Sequence, residues 1–302
     1  MLPIVPLLIT EFFSDAMSDS TLILKVSCPD AIGLLARVTG FVAGMGGNLL
    51  EAHQFTDPLS EWFFARLTFH VPNRTDAVAH YIEGFEPLAD EIRAGWSIRP
   101  ASEPIRTVIL VSREDHALAE ILWRAKSGEL NIQIPLVIGN HADLAPLVKN
   151  AGIPFRHIPV PPSEKDAAFR EIHRVCAEVD AQLIVLARFM QILPSWFCGA
   201  YPAKIINIHH SFLPAFAGAD PYRRAYERGV KLIGATCHYA TDELDAGPII
   251  EQEVVRVEHF HDIPALKRHG RDCERLALAR GLRFHVEDRV LIHGQRAVVF
   301  RD

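Results

Sequence analysis

Apolar positions in the first third of the chain switch repeatedly between the two-residue repeat of a strand and the 3.6-residue repeat of a helix. Leu22 to Ser27 predicts a strand, and Cys28-Pro29-Asp30 predicts a turn. Ile32 to Gly44 then carries Leu34, Leu35, Val38, Phe41 and Val42 on one stripe, the spacing of a half-buried helix. Gly46-Gly47-Asn48 stops it, since these residues tolerate the positive φ of a helix end. Two strands follow, Leu49 to Thr56 and Trp62 to Val71, joined by Asp57-Pro58-Leu59-Ser60. In the second, Phe63, Ala65, Leu67 and Phe69 alternate with Arg66 and Thr68, which predicts a sheet with one packed face and one open to water. A helix over Thr75 to Ala94 and a strand over Trp96 to Arg99 complete β-α-β-β-α-β, the ferredoxin-like order.

Beyond a polar, proline-bracketed linker at Pro100 to Pro104 the pattern changes. Thr107 to Val111, Ile132 to Gly139, Phe155 to Ile158, Leu183 to Ala187 and Lys204 to Ile208 are short unbroken apolar runs, as expected of strands covered on both faces. Helical segments separate several of them: Asp115 to Lys126, Ala142 to Ala151 and Glu164 to Val179. This alternation predicts a largely parallel, Rossmann-like α/β sheet wrapped by helices. Ligands of such folds collect beyond the C-terminal strand ends, where Asn207 and His209 fall. Another β-rich run, Ile233 to Ala240, ends in a loop of acids, and a long helix at Ile263 to Glu287 and a hairpin at Arg289 to Phe300 close the chain. The expected organisation is a disordered leader at 1–19, a ferredoxin-like domain at 20–101 and a catalytic domain at 106–302.

Composition narrows the setting. With 302 residues there is length for two cores, and 49% apolar with 23% charged residues is ordinary globular usage. A net charge of −6 without a Lys/Arg cluster predicts no nucleic-acid partner. The apolar start lacks a basic n-region, carries Glu11 and Asp15, and is too short to span a bilayer, so no membrane role is expected. Five scattered cysteines without a C-x-x-C pair predict reduced thiols and a cytoplasmic protein.

Chemistry concentrates in Asn207-Ile208-His209-His210-Ser211 and in Asp242-Glu243-Leu244-Asp245-Ala246-Gly247-Pro248. On a strand Asn207 and His209 point the same way. An amide and an imidazole N–H aimed at one carbonyl oxygen would stabilise the oxyanion formed under nucleophilic attack. A nearby carboxylate such as Asp245 can orient water, take its proton or hold the imidazole charged. The alternative is a capping Asn and a satisfied, half-buried His. A zinc set of His209, His210, His238 and Asp245 is disfavoured, because adjacent residues of an extended chain point oppositely, and no metal or cofactor is expected.

The runs 206–214, 218–222, 225–229 and 233–239, together with Glu243-Leu244-Asp245-Ala246-Gly247-Pro248-Ile249-Ile250-Glu251-Gln252, resemble the formyltetrahydrofolate hydrolases, relatives of the glycinamide ribonucleotide transformylases. The resemblance implies a formyltransferase-type catalytic domain with Asn207, His209 and Asp245 as the catalytic trio. It further implies hydrolysis of 10-formyltetrahydrofolate to formate and tetrahydrofolate, which feeds purine synthesis and balances the one-carbon pool. Folate contacts would come from Arg188, Met190, Gln191, Ile192 and Leu193 and from Ala240, Thr241, Asp242 and Glu243, with His210 standing where transformylases carry proline. Transformylases also need a glycine-rich phosphate cradle after their first strand. Here Ser112-Arg113-Glu114-Asp115-His116 follows Val111, with two acids and no glycine, so water is the expected acceptor and Asp115 a helix cap. The N-terminal unit resembles an ACT domain through Cys28-Pro29-Asp30-Ala31-Ile32-Gly33-Leu34 and Gly46-Gly47-Asn48-Leu49. That implies a homo-oligomer and an amino-acid effector held near Asp30, Gly33 and Asn48, with Asp30 otherwise free to cap a helix. A formyltransferase with an amine acceptor and a catalytically silent folate or amino-acid sensor stay as alternatives.

Overall fold

The computed structural model describes residues 20–72, 74–213 and 221–301, so the expected leader at 1–19 lies outside the described residues. Contacts divide the chain between Ala101 and Ser102. The first unit runs β1 (Ser20–Pro29), α1 (Leu34–Gly44), β2 (Asn48–Asp57), β3 (Trp62–Val71), α2 (Ala77–Ile92) and β4 (Gly95–Pro100). Its sheet has the order β2-β3-β1-β4, antiparallel throughout. Leu22, Leu24 and Val26 join Phe63, Ala65, Leu67 and Phe69 against Val38 and Val42 of α1 and Tyr81, Phe85 and Ala89 of α2. Burial of each Val, Leu or Phe among them contributes roughly 1.5–3 kcal/mol.

Three local expectations need correction. β1 runs through Cys28 and Pro29, paired with Phe63 and Trp62, so no turn interrupts it there. Proline is tolerated because it sits at the strand end. α1 begins at Leu34, and its cap is Gly33 in the left-handed region at φ 83°. Asp30 therefore does not cap the helix. Its carboxylate accepts a hydrogen bond from Thr56 at 3.5 Å and its N–H donates to the Glu61 carbonyl. The second face of β3 is not simply open either, for Arg66 is buried and donates to Glu51 and Thr68. Asn48 opens β2 directly after the Gly46–Gly47 stop.

The second unit contains β5 (Ile105–Val111), α3 (His116–Ser127), β6 (Ile132–Gly139), α4 (Ala145–Asn150), β7 (Phe155–His157), α5 (Lys165–Glu178) and β8 (Leu183–Ala187). It continues with α6 (Ser195–Ala200), β9 (Ile205–His209), α7 (Pro221–Arg228), β10 (Leu232–Tyr239), β11 (Ile249–Arg256), α8 (Ile263–Val286), β12 (Val290–His293) and β13 (Arg296–Val299). The main sheet has the order β11-β10-β9-β8-β5-β6-β7. It is parallel from β9 to β7 and antiparallel at β10 and β11. One face packs on α3 and α8 through Ile109, Val111, Leu118, Ile121, Ala277 and Leu278, the other on α5 and α6 through Val108, Leu110, Phe169, Ile172 and Phe197. α8 starts where Asp262 accepts the Ala265 N–H at 2.8 Å, a side-chain cap. Asp115 holds the equivalent place before α3 but makes no side-chain cap bond, contrary to expectation. All five cysteines are free and buried, and among the described residues no helix is long and apolar enough to cross a membrane.

Candidate active site

The antiparallel pairing of β9 and β10 builds the site. Asn207 lies opposite His238 and His209 opposite Thr236, which puts four polar side chains on neighbouring strands. Because β10 runs backwards, its last residue Tyr239 pairs with Ile206, three positions from His209 and about 10 Å away at strand spacing. Asp245 is therefore delivered by the loop of acids that follows β10 and not by the strand end itself. The loop after β10 must double back to bring it to His209. Two backbone features permit this: Asp245 adopts φ 56°, and Gly247 lies so close to the Tyr239 carbonyl that a Cβ would sit 1.9 Å from its oxygen. Gly247→Ala is expected to displace the loop and lower turnover by about 10²-fold, the usual consequence of an ångström-scale misplacement, checked by kcat beside a thermal melt.

His209 Nδ1 lies 3.1 Å from Asp245 Oδ2. Since the carboxylate only accepts, Nδ1–H donates, and the other ring nitrogen is left for a ligand. That Nε2 is buried with no hydrogen-bond partner among the described residues. An unmet buried polar atom costs about 1–3 kcal/mol, which a bound oxygen would recover. Burial works to raise the Asp245 carboxyl, but the His209 hydrogen bond and the charges of His209, His238 and His210 outweigh it and hold the group below its ordinary value. Asp245 is thus a carboxylate throughout the neutral range.

His238 is the residue that sequence reasoning left outside the site except as a rejected metal ligand. Its Nδ1 donates to the Tyr239 carbonyl at 2.9 Å, so Nε2 carries the lone pair and accepts from Asn207 Nδ2 at 3.1 Å. Burial lowers its basicity and keeps that tautomer neutral. The 3.7 Å approach to Asp245 Oδ1 is therefore neither a hydrogen bond nor an ion pair at neutral pH. The result is a fixed amide: one N–H of Asn207 is held by His238, and the other can be aimed at a substrate oxygen. Only the β9/β10 register reveals this, and nothing in the sequence announces an antiparallel strand there.

One cavity of about 470 Å³ collects Asn207, His209 and Asp245 with every expected folate contact: Arg188, Met190, Gln191, Ile192, Leu193, His210, Ala240, Thr241, Asp242 and Glu243. Met190 and Ile192 are exposed at its edge, apolar surface suited to a flat ring. The Met190 N–H donates to Ser112 Oγ at 3.0 Å, which ties this loop to the end of β5. Arg188, like Asp245, has a left-handed backbone, φ 61°. Strained backbone of this kind gathers at functional sites. The rings of His209 and His210 do not point apart but stack at 5.2 Å and 27°, because the strand ends at His209. The geometric reason given against a shared metal is thereby corrected.

His210 also gives a pH signature. Burial, with Arg188 and His209 nearby, pushes its imidazole down from 6.5 to about 4. The folded chain refuses a proton that the unfolded chain accepts, so His210 supports stability above pH 6.5 and that support drains away as pH falls toward 4. Between pH 7 and 5 the loss is about 2 kcal/mol from this group. Urea unfolding of His210→Asn should show a shallower decline than the parent over that interval; equal declines would reject the assignment.

The formyl transferase family matches residues 105–282 and the ACT domain family residues 22–80. Formyltetrahydrofolate deformylase of Synechocystis sp. is 44% identical over 94% of this chain and all of its own length. The Bacillus subtilis protein of the same name is 44% identical over 92% of this chain and 93% of its own. A crystal structure of a formyltetrahydrofolate deformylase from Pseudomonas syringae superposes with a TM-score of 0.91 at 47% identity, covering 96% of both chains. Glycinamide ribonucleotide transformylase 1 of Symbiobacterium toebii matches 66% of this chain and 95% of its own, with a TM-score of 0.63 at 29% identity. Fold and site thus define an ACT domain joined to a formyl transferase domain. Within that class, the chain belongs to the formyltetrahydrofolate deformylase family.

Proposed function

We propose that this protein hydrolyses 10-formyltetrahydrofolate to formate and tetrahydrofolate through Asn207, His209 and Asp245. The observation that carries the reading is the Asp245–His209 pair at 3.1 Å with an unpartnered Nε2 beside an amide fixed by His238. Asp245 accepts a proton from the attacking water, whose oxygen bonds to the formyl carbon. The formyl oxygen, now negative, is met by Asn207 and the imidazolium of His209. The C–N10 bond then breaks, N10 takes its proton from His209, the proton held by Asp245 passes to His209 to restore the pair, and the formic acid released ionises to formate and H⁺. No cofactor enters any step.

Water is favoured over an amine acceptor because the segment after β5 carries Glu114 and Asp115 instead of glycines, and Ser112 is engaged with Met190. The folate ring rests on the loops 188–193 and 240–243, and the glutamate tail extends toward the cavity mouth. The ACT domain senses an amino acid near Asp30, Gly33 and Asn48 in a cytoplasmic homo-oligomer, and the formate serves purine synthesis. Supplying purified protein with 10-formyltetrahydrofolate alone should release formate and tetrahydrofolate in equal amounts. Loss of the formyl group only when an amine is added would replace the reading by a transferase, and tight binding without turnover by a sensor.

A further inference from the structure

A second cavity, about 220 Å³, lies beyond His210 and shares two residues with the first, Arg188 and His210. Its other walls are Glu114, His116, Tyr222 and a stripe of α8, Lys267, Arg271 and Glu274, spaced to fall on one helix face. Glu274 is consumed internally. It receives His116 Nε2 at 2.8 Å and the Tyr222 hydroxyl at 3.0 Å, and Arg188 Nε stands 3.3 Å away. Arg271 pairs with Glu114 at 3.2 Å. The Arg188 guanidinium approaches Glu274 off the line of a hydrogen bond, so its Nε–H and Nη1–H are buried without an acceptor among the described residues. Donors left unmet in a small polar cavity call for a small acceptor.

The two cavities differ in charge. On the folate side Arg188 faces Asp242, Glu243 and Asp245, a formal excess of two negative charges with His209 neutral and of one with it cationic. On the far side Arg188, Lys267 and Arg271 face Glu114 and Glu274, leaving one positive. Formate, once the product has ionised, is repelled by the first and drawn to the second. One ring, His210, stacked on His209 at 5.2 Å, stands between. Burial keeps that ring neutral at physiological pH.

Resting on the hydrolytic reading above, we propose that this second cavity is the product side of the site: it binds formate at Arg188 and passes it along Lys267 and Arg271 to solvent, away from the folate. The separation lets formate leave while tetrahydrofolate is still bound. It also predicts that a charge change at the mouth acts on the anion and not on the folate.

The test uses the full chain, sodium formate and Lys267→Glu, an exposed position on α8. Saturation-transfer NMR on the formate C–H proton, which needs no turnover, is expected to show binding to the parent and binding about fivefold weaker in the variant. In steady state the inhibition constant for added formate should rise by the same factor while KM for 10-formyltetrahydrofolate stays within twofold. Absence of formate binding to the parent, equal binding in the variant, or a KM that rises with the inhibition constant would overturn the proposal. So would inorganic phosphate displacing formate at concentrations below those at which formate itself binds, since that would assign the cavity to a larger anion. Should the parent release no formate from 10-formyltetrahydrofolate yet bind formate as described, the hydrolytic reading fails and the anion site stands.

Discussion

His209→Ala is expected to lower the turnover of 10-formyltetrahydrofolate by roughly 10²–10³-fold and to move KM by less than about fivefold. The asymmetry follows from where the imidazole acts. Its Nε2 has no partner among the described residues, and it lies in a cavity otherwise walled by the loops 188–193 and 240–245. Most of the substrate's contact area therefore survives the truncation. What disappears is a donor whose strength grows as the formyl oxygen turns negative, and a proton for N10. Such an interaction is made chiefly in the transition state, so its removal appears in kcat. A variant with turnover near the parent's would remove His209 from the chemistry, and one whose loss lay wholly in KM would make it a folate contact.

Asp245→Asn should cost more, about 10³–10⁴-fold in kcat, with the chain folded as before. An amide is nearly isosteric but cannot accept the proton of water and cannot support an imidazolium. If it turns its NH₂ toward His209, Nδ1 must accept and the ring is held as the neutral Nε2–H tautomer, a weaker donor and a much weaker acid than the imidazolium. The fold should survive the change, since Asn keeps a polar group beside the buried His209 Nδ1 that Asp245 holds at 3.1 Å. Combining it with His209→Ala should add less than about tenfold to the worse single variant, because the two act as one unit. Fully multiplicative losses would show two independent functions.

The ferredoxin-like half was readable because alternation and helical stripe mark opposite periods, and Phe63, Ala65, Leu67 and Phe69 do line its core. The parallel strands β5, β6, β8 and β9 were equally plain, being apolar runs with both faces covered. β11 and α7 were not, since alternation in β11 is broken by Glu251 and Gln252 and α7 is dominated by charge. Asn207 and His209 could be paired from their two-residue spacing. The return of Asp245 could not, because it depends on a left-handed residue and on Gly247 seated against the Tyr239 carbonyl. His238 was hidden for a related reason. Its role exists only through a cross-strand register that no local pattern encodes. Arg188 was expected on the folate side alone, and its guanidinium reaching Glu274 shows a second face that spacing could not suggest.

The most direct test of the central claim, that a water held by Asp245 attacks the formyl carbon beside Asn207 and His209, is hydrolysis in H₂¹⁸O followed by mass spectrometry of the formate. The account predicts one ¹⁸O per formate at the rate of tetrahydrofolate appearance, with no acceptor present. Formate free of label, or tetrahydrofolate formed only when an amine is supplied, would contradict it.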